Sequence, residues 1–442
     1  MKILFVSLGC DKNLVDSEKM LGMLQEKGYT FTDDEAEADV VVVNTCCFIG
    51  DAKEESINTL LQMGELKDSG QIKALIAAGC LAQRYREEIQ KEIPQVDAII
   101  GTTAIDEIVA ALEEILAGQK QNHYEDINAA PVTETNRVVT TGGHFAYLKI
   151  AEGCDKHCTY CIIPKVRGNY RSVPIESLIK EAKELADKGV RELILVAQET
   201  TLYGMDLYGK KELPRLLHEL AQIPGIYWIR ILYCYPEEIT DELIDAIAAE
   251  PKVCNYLDIP IQHASDNVLK RMGRRTNQAE LRAIIGKLRE KIPDICLRTT
   301  LISGFPGETQ EDFEELYRFV NEMEFDRLGV FPYSQEEDTP AATMEDQVPQ
   351  EVKEFRRDEL MELQQAIAFD KAEDMVGRIL TVMIEGKVAD EETYVARTYR
   401  DATNVDGYLF VNTSANLMTG DLVKVLVTDS NEYDLIGEIY HE

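Results

Sequence analysis

Long apolar runs are missing from this 442-residue chain. No stretch approaches the roughly 20 consecutive apolar residues that a membrane span needs, so no membrane partner is expected. The short run in MKILFVSLGC is followed at once by DKNLVDSEK, and it reads as a buried first strand, not a secretory signal. A cytoplasmic location is therefore expected. Positive charge is also scarce: 46 Lys and Arg stand against 80 Asp and Glu, for a net charge of −34. So acidic a surface repels phosphate backbones and attracts basic partners. That speaks against broad nucleic-acid binding, although acidity also serves solubility alone. What is present is the material of a folded protein, with 45% hydrophobic and 7% aromatic residues. The length is enough for about three domains. Ten cysteines in a reducing compartment read as metal ligands, catalytic thiols or small buried apolar residues before they read as disulfides.

The pattern changes twice along the chain. Up to residue 118, apolar runs at 3–8, 39–44, 72–78 and 96–100 alternate with helical patterns at 14–27, 51–66, from about 83, and up to about 117. Continuous apolar strands between helices indicate a parallel sheet covered on both faces. Residues 119–143 are polar and weakly patterned, and read as a linker. From 144 the alternation is repeated six times, with strands expected at 145–150, 192–197, 227–233, 256–261, 296–302 and 327–333 and helices between them. Six such units suit an open (βα)6 barrel, with a doubly wound sheet as the competing topology. A long connecting helix over 348–377 leads to short strands with Gly and Asn/Asp turns, which indicate a small antiparallel β-barrel of OB-like type.

The stretch EGCDKHCTYCIIPK (152–165) places Cys154, Cys158 and Cys161 on one short loop. It follows the first strand of the second segment, on the face where barrel chemistry occurs. Three thiolates fit three corners of an iron–sulfur cube, whose clusters normally take four Cys ligands. The fourth iron is then left open to a small molecule. Tyr160 is expected beside the cluster. A zinc site using the three cysteines and His157 is the alternative on ligand type, opposed by the adjacency of His157 and Cys158. Three unrelated buried cysteines are the blandest alternative. CDKHCTYC resembles the CxxxCxxC signature of the radical S-adenosylmethionine superfamily. The resemblance implies a partial βα barrel, a 4Fe–4S cluster whose open iron binds S-adenosylmethionine, and a 5′-deoxyadenosyl radical that abstracts hydrogen from an unactivated carbon.

Three further thiols, Cys10, Cys46 and Cys80, each lie just past the C-terminal end of an expected parallel strand. Ligands of open α/β sheets bind outside those ends, so the three can converge, with Gly9 and Gly79 allowing close backbone approach. Ordinary burial is the alternative. Cys47, Cys234, Cys254 and Cys296 are read as buried. The combination of SLGCDKN, NTCCFI and AAGCLAQ with the radical loop and the β tail resembles the methylthiotransferase family over essentially the whole chain. The resemblance implies an N-terminal methylthiotransferase domain (1–118), a linker (119–143), a radical core (144–372) and a TRAM domain (373–442). It also implies a second 4Fe–4S cluster on Cys10, Cys46 and Cys80, with Cys47 as a substitute ligand. One S-adenosylmethionine methylates sulfur on that cluster and another makes the radical.

Within the family the resemblance is strongest to members that modify an aspartate of ribosomal protein uS12, through SLGCDKNLVDSE. Residues 378–442 carry five cations against twelve acids. An RNA-binding module gains much of its affinity from neutralising phosphates, so direct RNA binding by this domain is not expected, a local basic face of Arg397 and Arg400 being the counter-argument. A basic ribosomal protein, free or in the small subunit, suits the charge. An electron donor and a sulfur donor are further partners that the chemistry implies. A tRNA adenosine methylthiotransferase is the alternative in the same class; a non-catalytic iron–sulfur carrier or ribosome-binding module is the alternative outside it. The resemblance makes Gln198 and Glu199 candidates for contact with S-adenosylmethionine. Gln262, Gly304 and Glu308 are cofactor candidates from their places after later strands; a cap or turn role is the alternative for all five residues. His263 is read as structural.

Overall fold

The computed structural model describes residues 1–441. The chain opens with β1 (Lys2–Ser7), α1 (Asp11–Glu26), β2 (Thr30–Thr32), β3 (Val40–Thr45), α2 (Gly50–Asp68), β4 (Ala74–Ala78), α3 (Gly79–Tyr85), α4 (Glu87–Glu92), β5 (Ala98–Ile100) and α5 (Ile108–Leu116). The strands pair in parallel in the order β2-β1-β3-β4-β5. The apolar runs are buried on both faces because successive residues serve different cores. Val41, Val43, Leu75 and Ala77 pack with Leu60 and Met63 of α2. Val40, Val42, Ala74 and Ile76 pack with Met20 and Leu24 of α1. The strand order reverses direction between β1 and β3, and the crevice of a doubly wound sheet opens at such a switch point. The edge strand β2 is an element that the apolar pattern did not mark.

The second segment contains β6 (Phe145–Lys149), β7 (Ala151–Glu152), α6 (Ile163–Arg167), β8 (Arg171–Ser172), α7 (Ile175–Asp187), β9 (Glu192–Val196), α8 (Met205–Tyr208), α9 (Leu213–Ala221), β10 (Trp228–Ile231), α10 (Asp241–Ala249), β11 (Val253–Asp258), α11 (Asp266–Arg271), α12 (Gln278–Lys291), β12 (Cys296–Ser303), α13 (Gln310–Met323), β13 (Arg327–Pro332) and α14 (Gln350–Glu373). Six strands pair in sequence order, β6-β9-β10-β11-β12-β13, all in parallel. No switch point occurs, which decides for the open barrel over the doubly wound alternative. Along β6 the residues alternate between layers. Ala146 and Leu148 face the helices, whereas Phe145 and Tyr147 face the lumen with Ile194, Val196, Tyr256 and Cys296.

The tail folds as β14 (Ile379–Lys387), β15 (Thr393–Thr398), β16 (Leu409–Asn412), β17 (Leu422–Asn431) and β18 (Asp434–Ile439), a closed barrel in the order β14-β15-β16-β18-β17. The expectation of a wholly antiparallel barrel is corrected at one seam, since β16 and β18 pair in parallel. A ring of five strands cannot alternate direction throughout, so one parallel pair is obligatory.

The units are joined by buried charge. Glu192 accepts from Arg230 Nε and from Arg397 NH2, each at 2.7 Å, and all three residues are 0% exposed. Met383 and Ala402 of the tail enter the lumenal cluster from this end, and Leu14 and Val15 of α1 also join it. Residues 119–143 are irregular but not a loose tether. Buried Arg137 donates to Glu18 (2.7 Å), Glu181 (2.8 Å) and the Tyr147 carbonyl (2.7 Å), clamping α1 to α7 and β6.

Burial would raise the Glu192 carboxyl, but Arg397 and Arg230 outweigh it and hold the carboxyl below its ordinary 4.5. Its stabilisation is present in full above pH 4.5 and is lost as pH falls through the depressed value. Glu192→Gln strands two buried guanidiniums and is expected to cost about 3–5 kcal/mol. Denaturant titration checks the loss, and limited proteolysis should then release the C-terminal barrel first.

Candidate active site

Both cysteine trios lie beyond the C-terminal ends of parallel strands. Cys10 follows β1 as the N-cap of α1, and Cys46 follows β3 across the switch point. Cys80 differs from expectation: α3 begins at Gly79, so this thiol sits in a helical first turn and not in a loop ahead of a later helix. Cys10 is exposed, while Cys46 and Cys80 are 6% and 8% exposed. Gly9 has φ +87°, and a Cβ there would stand 2.7 Å from Cys46 Cβ and 2.8 Å from its Sγ. Gly79 has φ +88°, and its Cβ would meet the Asn44 side chain and the Thr45 carbonyl. Only glycine allows these two turns to close on each other.

The thiols of this trio act on one another. Burial raises Cys46, and nearby Cys10 adds to the rise. Burial raises Cys80 further, with Arg167 opposing and Cys47, Cys46 and Cys10 reinforcing. Cys47 is 0% exposed, packs in the core with Leu60 and Met63, and is pushed by burial to about 11 with Arg84 opposing. That placement fits the buried reading better than a ligand role. Cys234, Cys254 and Cys296 are likewise buried in lumenal or helix-facing core.

The second trio occupies the loop after β7. Cys154 N–H donates to the Gly168 carbonyl at 3.1 Å, Cys161 N–H to the Cys158 carbonyl at 3.0 Å, and Thr159 N–H to the Met272 carbonyl at 2.9 Å. Burial pushes Cys154 up to about 12, with Glu199 and Cys158 adding to it. Burial, Cys158 and Cys154 raise Cys161 above the usual thiol range. Tyr160 stands edge-on to Phe305, and the Tyr235 hydroxyl lies 3.4 Å from Cys158 Sγ. Arg274 stacks 4.3 Å over the Tyr235 ring.

Burial and neighbouring thiols make Cys46, Cys80, Cys154 and Cys161 resist ionising unless a cation joins them, so both trios have the chemistry of metal sites. Their spacing selects the kind of metal group. Among the described residues, the three His, Cys, Asp or Glu side chains whose ligand atoms all lie within 4.8 Å of each other are Asp106, Glu107 and Glu125. Neither cysteine trio is so tight. A single zinc with bonds of about 2.3 Å would hold sulfurs about 3.8 Å apart, whereas a four-iron cube spreads them wider. His157 is exposed at φ +52°, turned out of any ligand set with its neighbour. Both trios are wider than a single zinc ion would hold them.

Of the cofactor candidates, Glu199 alone keeps a buried, unpartnered acceptor. Its Oε1 accepts from Thr201 N–H at 2.8 Å and from the Thr201 hydroxyl, and its Oε2 has no partner. The side chain is 0% exposed, and burial lifts its carboxyl to about 7. Gln198 is braced within the protein through one amide N–H and its oxygen, and a second N–H is left over. Gly153 N–H donates to Gln198 Oε1 and Gln198 Nε2 donates to Glu152 Oε1, both at 2.9 Å. Glu308 is held from both oxygens: Oε2 accepts from Gly304 N–H (2.9 Å) and Oε1 from Arg356 (2.8 Å). Gly304, at φ +67°, packs against Lys353 and shapes that turn. Gln262 has φ +68° and pairs with β12 through its backbone, with its side chain half-buried. His263 takes Ser265 N–H on Nδ1 at 3.0 Å, with Nε2 3.3 Å from Glu308, as a structural residue would.

Sequence reasoning missed the buried group between the trios. Arg167, 1% exposed in its side chain, reaches Asp16 (2.7 Å), Glu152 (3.2 Å), Asn13 (2.9 Å) and the Cys80 sulfur (3.3 Å). Lys149 joins Asp16 and Glu152. The available signal was Lys149, a charge at a lumen-facing position of an otherwise apolar strand.

Two outcomes are expected. Anaerobically prepared protein should hold about eight irons per chain, falling to about four when either trio is replaced by alanine; iron and sulfide assays check this. The affinity for S-adenosylmethionine should weaken as pH falls below about 7, where Glu199 takes up a proton, and weaken again above roughly 8, where an α-amino group loses its own. Glu199→Gln should flatten the acid limb in equilibrium-binding measurements.

Comparison with known proteins agrees with this layout. Residues 2–101 match Uncharacterized protein family UPF0004, 148–320 the Radical SAM superfamily and 376–439 the TRAM domain. The ribosomal protein uS12 methylthiotransferase RimO of Lachnoclostridium phytofermentans is 63% identical over 437 residues, 99% of each chain. The protein of that name from Clostridioides difficile is 49% identical over 442 residues, 100% of this chain and 99% of its own. Among solved structures, the radical S-adenosylmethionine methyltransferase TsrM of Kitasatospora setae aligns with a TM-score of 0.54 at 14% identity, covering 88% of this chain and 79% of its own, a likeness of fold alone. Identity at that level across the full length means that the chain belongs to the ribosomal protein uS12 methylthiotransferase RimO family.

Proposed function

We propose that this protein is a radical S-adenosylmethionine methylthiotransferase that replaces a hydrogen on the β-carbon of an aspartate of ribosomal protein uS12 with a CH3S group. The observation that carries this reading is the pairing of two incomplete thiol trios, one per domain, joined through a single buried set of charges. Cys154, Cys158 and Cys161 hold one 4Fe–4S cluster, and Cys10, Cys46 and Cys80 hold the other. When bound, these clusters and two molecules of S-adenosylmethionine supply the hydrogen-abstracting radical, the sulfur and the methyl group.

The chain's own residues bind, orient and shield. Glu199 offers its unpartnered Oε2 to the ammonium of S-adenosylmethionine. Gln198 fixes the Gly153 backbone and so the start of the cluster loop. Tyr160, Tyr235 and Phe305 wall the loop with apolar surface. The C-terminal barrel closes the lumen from the N-terminal strand ends, which leaves substrate to approach from the end where both trios lie.

Charge supports a protein substrate. Arg397 and Arg400, two of the five cations in 378–442, are spent on the barrel interface. Arg397 is 0% exposed and held by Glu192 and Glu385, and Arg400 is held by Asp326. They form no basic face, and the surface left on this domain is acidic, rich in the exposed Asp390, Glu391 and Glu392 turn. Such a surface steers a basic ribosomal protein and gains nothing from phosphates. The electron and the sulfur come from donors outside the chain.

Anaerobic incubation with S-adenosylmethionine, dithionite, sulfide and uS12 is expected to yield 5′-deoxyadenosine, S-adenosylhomocysteine and a methylthio-aspartate detectable by mass spectrometry. Modification of tRNA with unmodified uS12 would assign the alternative substrate, and no 5′-deoxyadenosine at all would leave only a carrier.

A further inference from the structure

We propose that Arg167 sets the reduction potential of the cluster held by Cys10, Cys46 and Cys80, a role that rests on the two-cluster reading above. Arg167 is the last residue of α6, six positions after Cys161, yet its Nε lies 3.3 Å from the sulfur of Cys80 in the other trio. Its remaining donors are fixed from three directions. NH1 is held by Asp16 at 2.7 Å and Glu152 at 3.2 Å, and NH2 by Asn13 Oδ1 at 2.9 Å. Asn13 is itself pinned to the carbonyls of Leu8 (2.6 Å) and Thr45 (3.2 Å), the residues that lead into Cys10 and Cys46. The planar fork therefore cannot turn away from the sulfur.

Hydrogen bonds to ligating sulfurs and net charge nearby are the protein's levers on cluster potential, because they stabilise the more negative, reduced form. Arg167 supplies both at Cys80. Asp16 and Glu152 stand on the far side of the guanidinium, balanced by Lys149, so the positive edge faces the thiol. The other guanidinium near this trio, Arg84, acts on Cys47. Arg167 is thus a positioning residue: it touches a cluster ligand from one domain while standing on the loop that carries the other cluster. This arrangement raises the potential of the sulfur-bearing site and ties its geometry to the radical site.

The test uses the full chain with Cys154, Cys158 and Cys161 replaced by alanine, so that one cluster remains. Iron content of about four per chain establishes the two-cluster reading independently; failure to load would count against that reading and not against Arg167. The midpoint potential is then followed by redox titration with electron paramagnetic resonance. Arg167→Gln is expected to shift it to more negative values, and Asp16→Asn, which removes an opposing charge and keeps the donor, to more positive values. Should Arg167→Gln fail to hold iron, the Asp16→Asn shift decides alone. An unchanged midpoint in the loaded variants would overturn the proposal.

Discussion

The guanidinium of Arg167 meets the helix that follows Cys10, the strand end that precedes Cys154, and the thiol of Cys80. Little else in the molecule binds two domains and two sulfur sites at one point. A buried cation of this kind is tolerable only with carboxylates in good geometry. Asp16 and Glu152 provide them, and Lys149 restores the balance of charge. Burial alone would raise the Glu152 carboxyl, but Lys149 and Arg167 hold it well below the usual range. Glu152 then orients Gln198, and Gln198 orients Gly153, next to the first cysteine of the radical loop. The relative placement of the two trios thus rests on this ionic cluster together with the Arg137 clamp and the packing of Leu14 and Val15 into the barrel lumen.

The same logic recurs at the opposite end of the barrel. There Glu192 lies between Arg230 and Arg397, and the C-terminal barrel serves as a plug for the lumen. This use of its arginines also shapes recognition. With Arg397 and Arg400 turned inward, three exposed cations, Arg378, Lys387 and Lys424, remain among the twelve acids of this domain, and its surface is net acidic.

Much of this was legible in the sequence, because parallel strands buried on both faces are near-continuous apolar runs, and VVVV, ALIAA and ELILV carry that signal without help from context. The strand-end positions of Cys10, Cys46 and Cys80 followed from it, as did the open βα barrel once six units were counted. Other features were not legible. The short edge strand Thr30–Thr32 is half polar, so no period marks it. The early start of α3 at Gly79 defied the poor helix propensity of glycine, because Gly79 serves the close approach of two loops. Arg167 and Asp16 are 151 positions apart, and Arg137 and Glu18 are 119 apart; no local pattern announces such pairs. Gln198 and Glu199 looked equivalent as neighbours, and only burial and hydrogen bonding separate a residue that braces a loop from one that keeps a free acceptor.

If two four-iron cubes sit on these two trios within one molecule, a crystal structure of the anaerobically prepared protein, with anomalous differences recorded across the iron absorption edge, will show two separate iron sites. One is bounded by the sulfurs of Cys10, Cys46 and Cys80 and the other by those of Cys154, Cys158 and Cys161. A single iron site, or an anomalous signal at the zinc edge on either trio, rules the two-cube arrangement out.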